Sequence, residues 1–326
     1  MRMKSGAAAL YGVAFSIYCA VAVAQTYPTR SIRMIVPYAP GGPTDIVGRL
    51  VGQKLGERVG VSVVVDNRPG GTGIIGGDMV AKAAPDGYTL LLCSTSTVVT
   101  SPILVDKAPY DGRRDFAAIT LVVTIPYLLL VNPASGASSV KELIALAREK
   151  PGALNYGSAG TGSTSHLAGA LLSQMVRIDI AHVPYKGSSL AAIDLIGGRL
   201  QFTFEAVAAG MQYVKSGRLR PLGISTAKRI SSLPDLPTIG EAGVPGYEIS
   251  TWHGICAPRA TPPALIARLN HEIVAAINAP DVRERLTAIG AEVVGSSPGE
   301  LAALINAEFP RWEKLMRELG VKGTHR

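Results

Sequence analysis

The sequence predicts an α/β protein built from mostly parallel sheets flanked by helices. Short apolar runs alternate with amphipathic stretches along most of the chain, and glycine-rich turns separate them. Parallel strands are apolar on both faces and need helical crossovers, which accounts for this alternation. The length, 326 residues, suffices for two ordinary domains with real cores.

The N-terminus comes first. Arg2 and Lys4 precede an apolar, small-residue run from Gly6 to Val23, and Ala22-Val23-Ala24 offers a small-x-small cleavage site. Residues 1–24 are therefore expected to be a signal peptide, and the mature protein is expected in the periplasm. A retained anchor is the alternative, but Gly, Ser and many Ala make the run weakly hydrophobic. Tyr18 is too bulky to precede a lipidated Cys19, and no later run is apolar for long enough to span a bilayer.

The elements follow in order. "SIRMIVPY" reads as a buried strand, and "DIVGRLVGQKLGERVG" as a helix closed by Gly60. "VSVVVDNRPG" is a strand, "GIIGGDMVAKAAPDG" a helix ending in a turn, and "YTLLLCSTS" a third strand. After "ITLVVTIPYLLLVNP" come the helix "SVKELIALAREKPG", the strand "ALNYGSAG" and the helix "STSHLAGALLSQMV". "IAHVPYKG", the helix "SLAAIDLIGG", the strand "LQFTFEA", the helix "GMQYVKSG" and the strand "LRPLGIST" continue the alternation. Residues 228–247, rich in Pro and Gly, form a long connection to the strand "STWHGICAP". Helices at Pro263–Asn278, Asp281–Ile289 and Pro298–Leu319 complete the chain. One internal echo links "IRMIVPYAPGGPTDIVGRL" to "IAHVPYKGSSLAAIDLIGGRL". Two halves built alike would produce it, and so would chance.

Charge narrows the function. The net charge of +8 becomes +6 when Arg2 and Lys4 leave with the signal peptide. The remaining Lys and Arg are scattered, with no basic stripe carrying aromatics, so nucleic acid is not expected. A mild positive field favours small anionic ligands. Cys93 and Cys256 remain. An oxidising compartment permits a disulfide, but both sit in apolar runs that suit buried free thiols. A stabilising disulfide is not expected.

Four motifs fail on a chemically necessary member. "GTGIIG" (Gly71, Gly73, Gly76) lacks the acid that a dinucleotide site needs at the end of the next strand. "GSSPG" places Ser297 before Pro298 and Glu300, which is an N-cap with a capping box rather than a nucleophile elbow. "HEIVA" has Ala275 where a second zinc ligand is required. "GTGST" has no Gly-Lys-Ser/Thr. No cofactor, metal site or catalytic set is expected.

Two glycine loops remain, "PYAPGGPTD" (37–45) and "NYGSAGTGSTSHL" (155–167), each between a strand and a helix. Parallel α/β units gather such loops at the carboxyl ends of their strands. Glycine admits close backbone approach, and unpaired N–H groups at a helix start favour an anion. Hydroxyls of Ser158, Thr161, Ser163 and Ser165 add donors suited to a carboxylate. The structural alternatives are that Thr44 and Asp45 only cap the first helix, that Ser163 or Thr164 caps the second, and that His166 is simply packed. Glu205 ends an apolar strand, either as a helix cap or as a site acid that accepts from a ligand amine or hydroxyl or shares a proton with a second ligand carboxyl.

The segments "YPTRSIRMIVPYAPGGPTDIVGRLV", "NRPGGTGIIGGDMVAKAAPDGYTLLL", "YGSAGTGSTSHLAGALL", "HVPYKGSSLAAIDLIGG" and "LPDLPTIGEAGVPGYE" together resemble the Bug (TctC-like) periplasmic receptors of tripartite tricarboxylate transporters. The resemblance covers the whole mature chain. It implies a two-lobed periplasmic-binding-protein fold of type II, with lobe 1 from 25–125 plus 247–326 and lobe 2 from 126–246. It implies a carboxylate or related metabolite held in the interlobe cleft, with no catalysis and no cofactor. It implies contacts from Tyr38, Ala39, Gly41, Gly42, Thr44 and Asp45 in one loop and Ser158, Gly160, Thr161, Ser163 and His166 in the other. Glu205 stands where the family often has Asp, and "STSTVV" departs from the family's usual segment. The implied partners are the two membrane components of the transporter, with the receptor a monomer. The alternatives are an exported hydrolase of a small acid and a sensor's ligand-binding partner.

Overall fold

The computed structural model describes residues 27–41, 43–185, 187–230, 232–318 and 320. The expected signal peptide and Gly42 lie outside the described residues.

The first half opens with β1 (Ile32–Val36), α1 (Pro43–Val59), β2 (Val63–Asn67), α2 (Ile74–Ala81) and β3 (Thr89–Ser94). A wide helical turn at Ser96–Thr100 and a short α3 (Ser101–Leu104), neither legible in the sequence, lead to β4 (Phe116–Val131). The second half comprises α4 (Val140–Glu149), β5 (Leu154–Ser158), α5 (Thr164–Val176), β6 (Ile180–Pro184), α6 (Ser188–Ile196), β7 (Phe202–Ala206), α7 (Val207–Lys215) and β8 (Arg220–Ile224). The chain then returns through β9 (Ser250–Pro258), α8 (Pro263–Ile277), α9 (Pro280–Ala288), β10 (Glu292–Val293) and α10 (Pro298–Glu318).

The sheet runs β2-β1-β3-β9-β4-β7-β5-β6, with β8 and β10 also on β4. β4 belongs to both halves. It pairs antiparallel with β9 as far as Pro126↔Ser250, then with β7 from Tyr127↔Ala206 and with β8. Pro126, which has no N–H to offer a ladder, stands at this change of partners. In each half the first strand is flanked by the next two, β2-β1-β3 and β6-β5-β7, all parallel. β1 and β5 are thus topological equivalents. The sequence echo instead couples β1 to β6, one strand out of step, so it does not mark the structural repeat.

The apolar runs form the interior. β3 is almost wholly buried, as its continuous "TLLLC" requires. One cluster packs α1, α8 and α9 on a face of the first half; a second packs α6 and α7 on the other half. A third joins both halves, from Ile35 and Cys93 to Tyr156, Phe204 and Trp252. There the buried Glu308 accepts from the indole N–H of Trp252 (2.9 Å) and of Trp312 (3.2 Å), fastening α10 to β9. Ser297 and Glu300 form the expected capping box at the start of α10.

One expectation is corrected. Cys93 and Cys256 are joined in a disulfide, with Cα atoms 6.1 Å apart. The antiparallel register places Cys93 opposite Gly254 and Leu91 opposite Cys256, so the two cysteines are diagonal neighbours. The sequence shows two apolar strands but not that they adjoin.

Candidate functional site

The strand directions decide where the loops meet. The carboxyl ends of β1 and β3 lie beside the start of β9, and those of β5 and β7 lie beside Tyr127. Both sets converge where β4 changes partners. The two glycine loops follow the equivalent strands β1 and β5.

The first loop is fastened by Asp45. Its buried carboxylate accepts from the Gly41 N–H (2.9 Å), Arg49 Nε (2.9 Å) and Asn67 Nδ2 (2.9 Å). Asn67 also donates to the Tyr38 carbonyl at 3.0 Å. Gly41 takes a φ of 84°, the region glycine tolerates. Burial pushes the Asp45 carboxyl up, but the Arg49, Gly41 and Asn67 donors outweigh it and hold the pKa below the ordinary value. Asp45 is committed to the loop itself. Thr44 Oγ1 pairs with Nε2 of buried His253 at 2.9 Å. Burial drives that imidazole down to about 4, so it is neutral. Tyr38 shares its hydroxyl with Ser94 Oγ (3.1 Å) and Thr97 Oγ1 (3.3 Å), while Ala39 is exposed.

A depressed pKa supplies stability that is present above the unfolded-state value and lost as pH falls through the folded one. Asp45→Asn keeps a capping side chain but gives up the charge. It is expected to lower the melting temperature at neutral pH by a few degrees, with the gap from wild type closing below about pH 4. Thermal melts across that range check this; a gap that does not change with pH would contradict it.

The second loop is stitched by its own hydroxyls. Ser158 Oγ pairs with His182 Nε2 (2.6 Å) and accepts from the Gly160 N–H (3.1 Å). Ser163 caps α5, accepting from the His166 N–H (3.3 Å), and donates to the Gly160 carbonyl (2.6 Å). Ser165 Oγ accepts from the Ala159 N–H at 3.0 Å. His166 Nδ1 accepts from the Gly162 N–H (3.1 Å), which leaves its proton on Nε2. The His166 ring stacks on His182 at 3.9 Å, and burial together with that neighbour lowers it to about 4. Gly160 and Gly162 take φ values of 124° and 80°. These bonds leave the N–H groups of Thr161, Thr164 and Ser165, with the Thr161 hydroxyl, unpartnered among the described residues. Gly162 also touches Leu104 of α3, so the loop meets the first half directly.

Between the loops stand two further groups. The Tyr127 phenol lies near the Thr164 hydroxyl and within electrostatic range of Glu205 and Tyr38; burial holds it well above its ordinary pKa. Glu205 is 3% exposed. Its Oε1 accepts from the Ala206 N–H (3.1 Å), and its Oε2 has no partner among the described residues. Burial pushes its carboxyl up to about 7, only partly offset by the Ser188 hydroxyl and the Ala206 N–H. The structure thus brings together Tyr38, Thr44, Ser158, Gly160, Thr161, Ser163, His166 and Glu205 around the crossing, with Asp45 behind the first loop. Sequence reasoning missed Tyr127, His182 and His253. Tyr127 carried a signal, a polar tip beside Pro126 inside an apolar run.

The described site offers N–H and O–H donors and one buried carboxyl, and Arg49 is bound to Asp45. The chain is similar to known proteins over most of its length. The profile described as "Tripartite tricarboxylate transporter family receptor" matches residues 47–321. The chain is 42% identical over 313 residues, 95% of it and 93% of the other, to the UPF0065 protein in the tcbD-tcbE intergenic region of Pseudomonas sp.. Among solved structures, R. palustris Rpa4515 with adipate superposes with a TM-score of 0.80 at 38% identity, covering 90% of this chain and 98% of that one. The periplasmic binding protein BugD gives 0.77 at 33%, covering 92% and 100%.

Proposed function

Since the chain belongs to the tripartite tricarboxylate transporter receptor family, whose members are solute-binding receptors of two-lobed fold, we propose that it captures a small carboxylate in the cleft where its two glycine loops meet. The observation that carries this reading is the set of unpartnered donors on the second loop: three backbone N–H groups and the Thr161 hydroxyl. Neutral donors hold an anion without an ion pair, which suits a carrier that must release its cargo. The relative crystallised with adipate supports the carboxylate class. The lobes are taken to meet at Pro126–Tyr127 and near residue 247, with the loops facing across that line. The protein acts after export to the periplasm, as a monomer, and delivers its ligand to the two membrane components of a tripartite transporter.

Calorimetry against a panel of mono-, di- and tricarboxylates is expected to find a ligand, and mass spectrometry is expected to return that ligand unchanged. Thr161→Ala is expected to weaken its binding roughly tenfold, the worth of one hydrogen bond to a charged group. Product in stoichiometric excess over protein would replace the receptor reading with an enzymatic one.

A further inference from the structure

A buried carboxyl is out of place in a cleft that holds an anion, because two carboxylates side by side repel. Glu205 is the penultimate residue of β7, the strand equivalent to β3, which ends in the neutral Ser94 and continues to Thr97. Continuing the Gly157↔Thr203 register by two residues sets Glu205 level with Ala159 in the second glycine loop. Its unpartnered Oε2 is surrounded by groups that do not neutralise it. β4 presents the Tyr127 phenol, α6 begins with the Ser188 hydroxyl, and α7 packs Gly210 near its Cβ. The loop histidines His166 and His182 are both pushed below their ordinary pKa by burial. Asp45, in the other loop, is spent on Arg49. No described cation pairs with Glu205.

We propose that Glu205 recognises a second carboxyl of the ligand through a shared proton, so that the cleft selects dicarboxylates and takes up one proton with each above neutral pH. This rests on the carboxylate-binding reading and refines it. The proton comes from solvent and lies between Oε2 and a ligand oxygen; no covalent bond to the ligand forms or breaks. Before binding, burial keeps Glu205 protonated up to about pH 7. Two carboxyls in contact then titrate as a pair and hold one proton more tightly than either would alone.

The test uses adipate and hexanoate, which share a chain length and differ by one carboxyl. Titration calorimetry runs from about pH 6 to about pH 8.5, in two buffers of different ionisation enthalpy. The affinity for adipate is expected to fall roughly tenfold per pH unit above about 7, with buffer-dependent heat showing proton uptake. Hexanoate is expected to bind more weakly. Glu205→Gln, whose amide donates at every pH, is expected to retain adipate and lose the slope. A flat wild-type profile without proton uptake, or a slope that persists in Glu205→Gln, overturns the shared proton while leaving the receptor reading standing. If no carboxylate binds at any pH, both fall together.

Discussion

Gly162→Val is expected to reduce carboxylate binding by at least a hundredfold while the protein stays folded. Gly162 holds a φ of 80°, where a β-branched side chain is strongly disfavoured. A Cβ built there would lie 2.6 Å from Leu104 Cδ1, the tip of a side chain that can turn aside, so the backbone conformation carries the main cost. Relaxing that φ turns the loop backbone, which breaks the bond from the Gly162 N–H to His166 Nδ1 and shifts the free N–H groups of Thr161 and Thr164. Left-handed strain of about 1–2 kcal/mol adds to the loss of hydrogen bonds to a charged ligand, each about 1.5–3 kcal/mol, and a hundredfold needs about 2.8 kcal/mol. Calorimetry with adipate checks this, with circular dichroism as the control for folding. Affinity within about threefold of wild type would show that the second loop does not hold the ligand.

The second large effect concerns stability. Reduction, or replacing Cys93 and Cys256 together with Ala, is expected to lower the melting temperature by roughly 5–8 °C. The cysteines are separated by 163 positions, and that span includes the entire second half of the molecule. Closing so long a loop restricts the unfolded chain, an effect worth about 3–5 kcal/mol. The bridge joins β3 to β9, the two strands through which the separated pieces of the first half adjoin. Differential scanning calorimetry with and without reductant measures the shift; equal melting temperatures would show that the bridge contributes no stability.

Much of the fold was legible because the strands announce themselves locally. "TLLLCS", "LNYGS" and "FTFEA" are apolar runs closed by polar or small residues, and each is a strand. What stayed hidden was non-local. Strand order decides that Cys93 meets Cys256, that β1 corresponds to β5 rather than β6, and that one strand serves both halves. No pattern of period two or 3.6 carries that information. The loops were legible from their glycines, but the work of each side chain was not. Asp45 is read equally well as a cap or a contact until Arg49 and Asn67 are seen on it. Tyr127 enters the site only because β4 crosses there.

The position of β9 in the sheet has a consequence for how the molecule is made. The chain delivers β1, β2 and β3 first, yet the second neighbour of β3 is β9, encoded after the whole second half. Strands β4 to β8 are complete well before β9 exists, so the later-born half has all its strands first. Through that interval β3 presents a bare apolar edge, the kind of surface on which nascent chains stick to one another. Slow emergence of residues 94–250 from the membrane during export lengthens the exposure. A chaperone that shelters β3 as the chain emerges, until β9 arrives, would therefore act on the surface most open to misassembly.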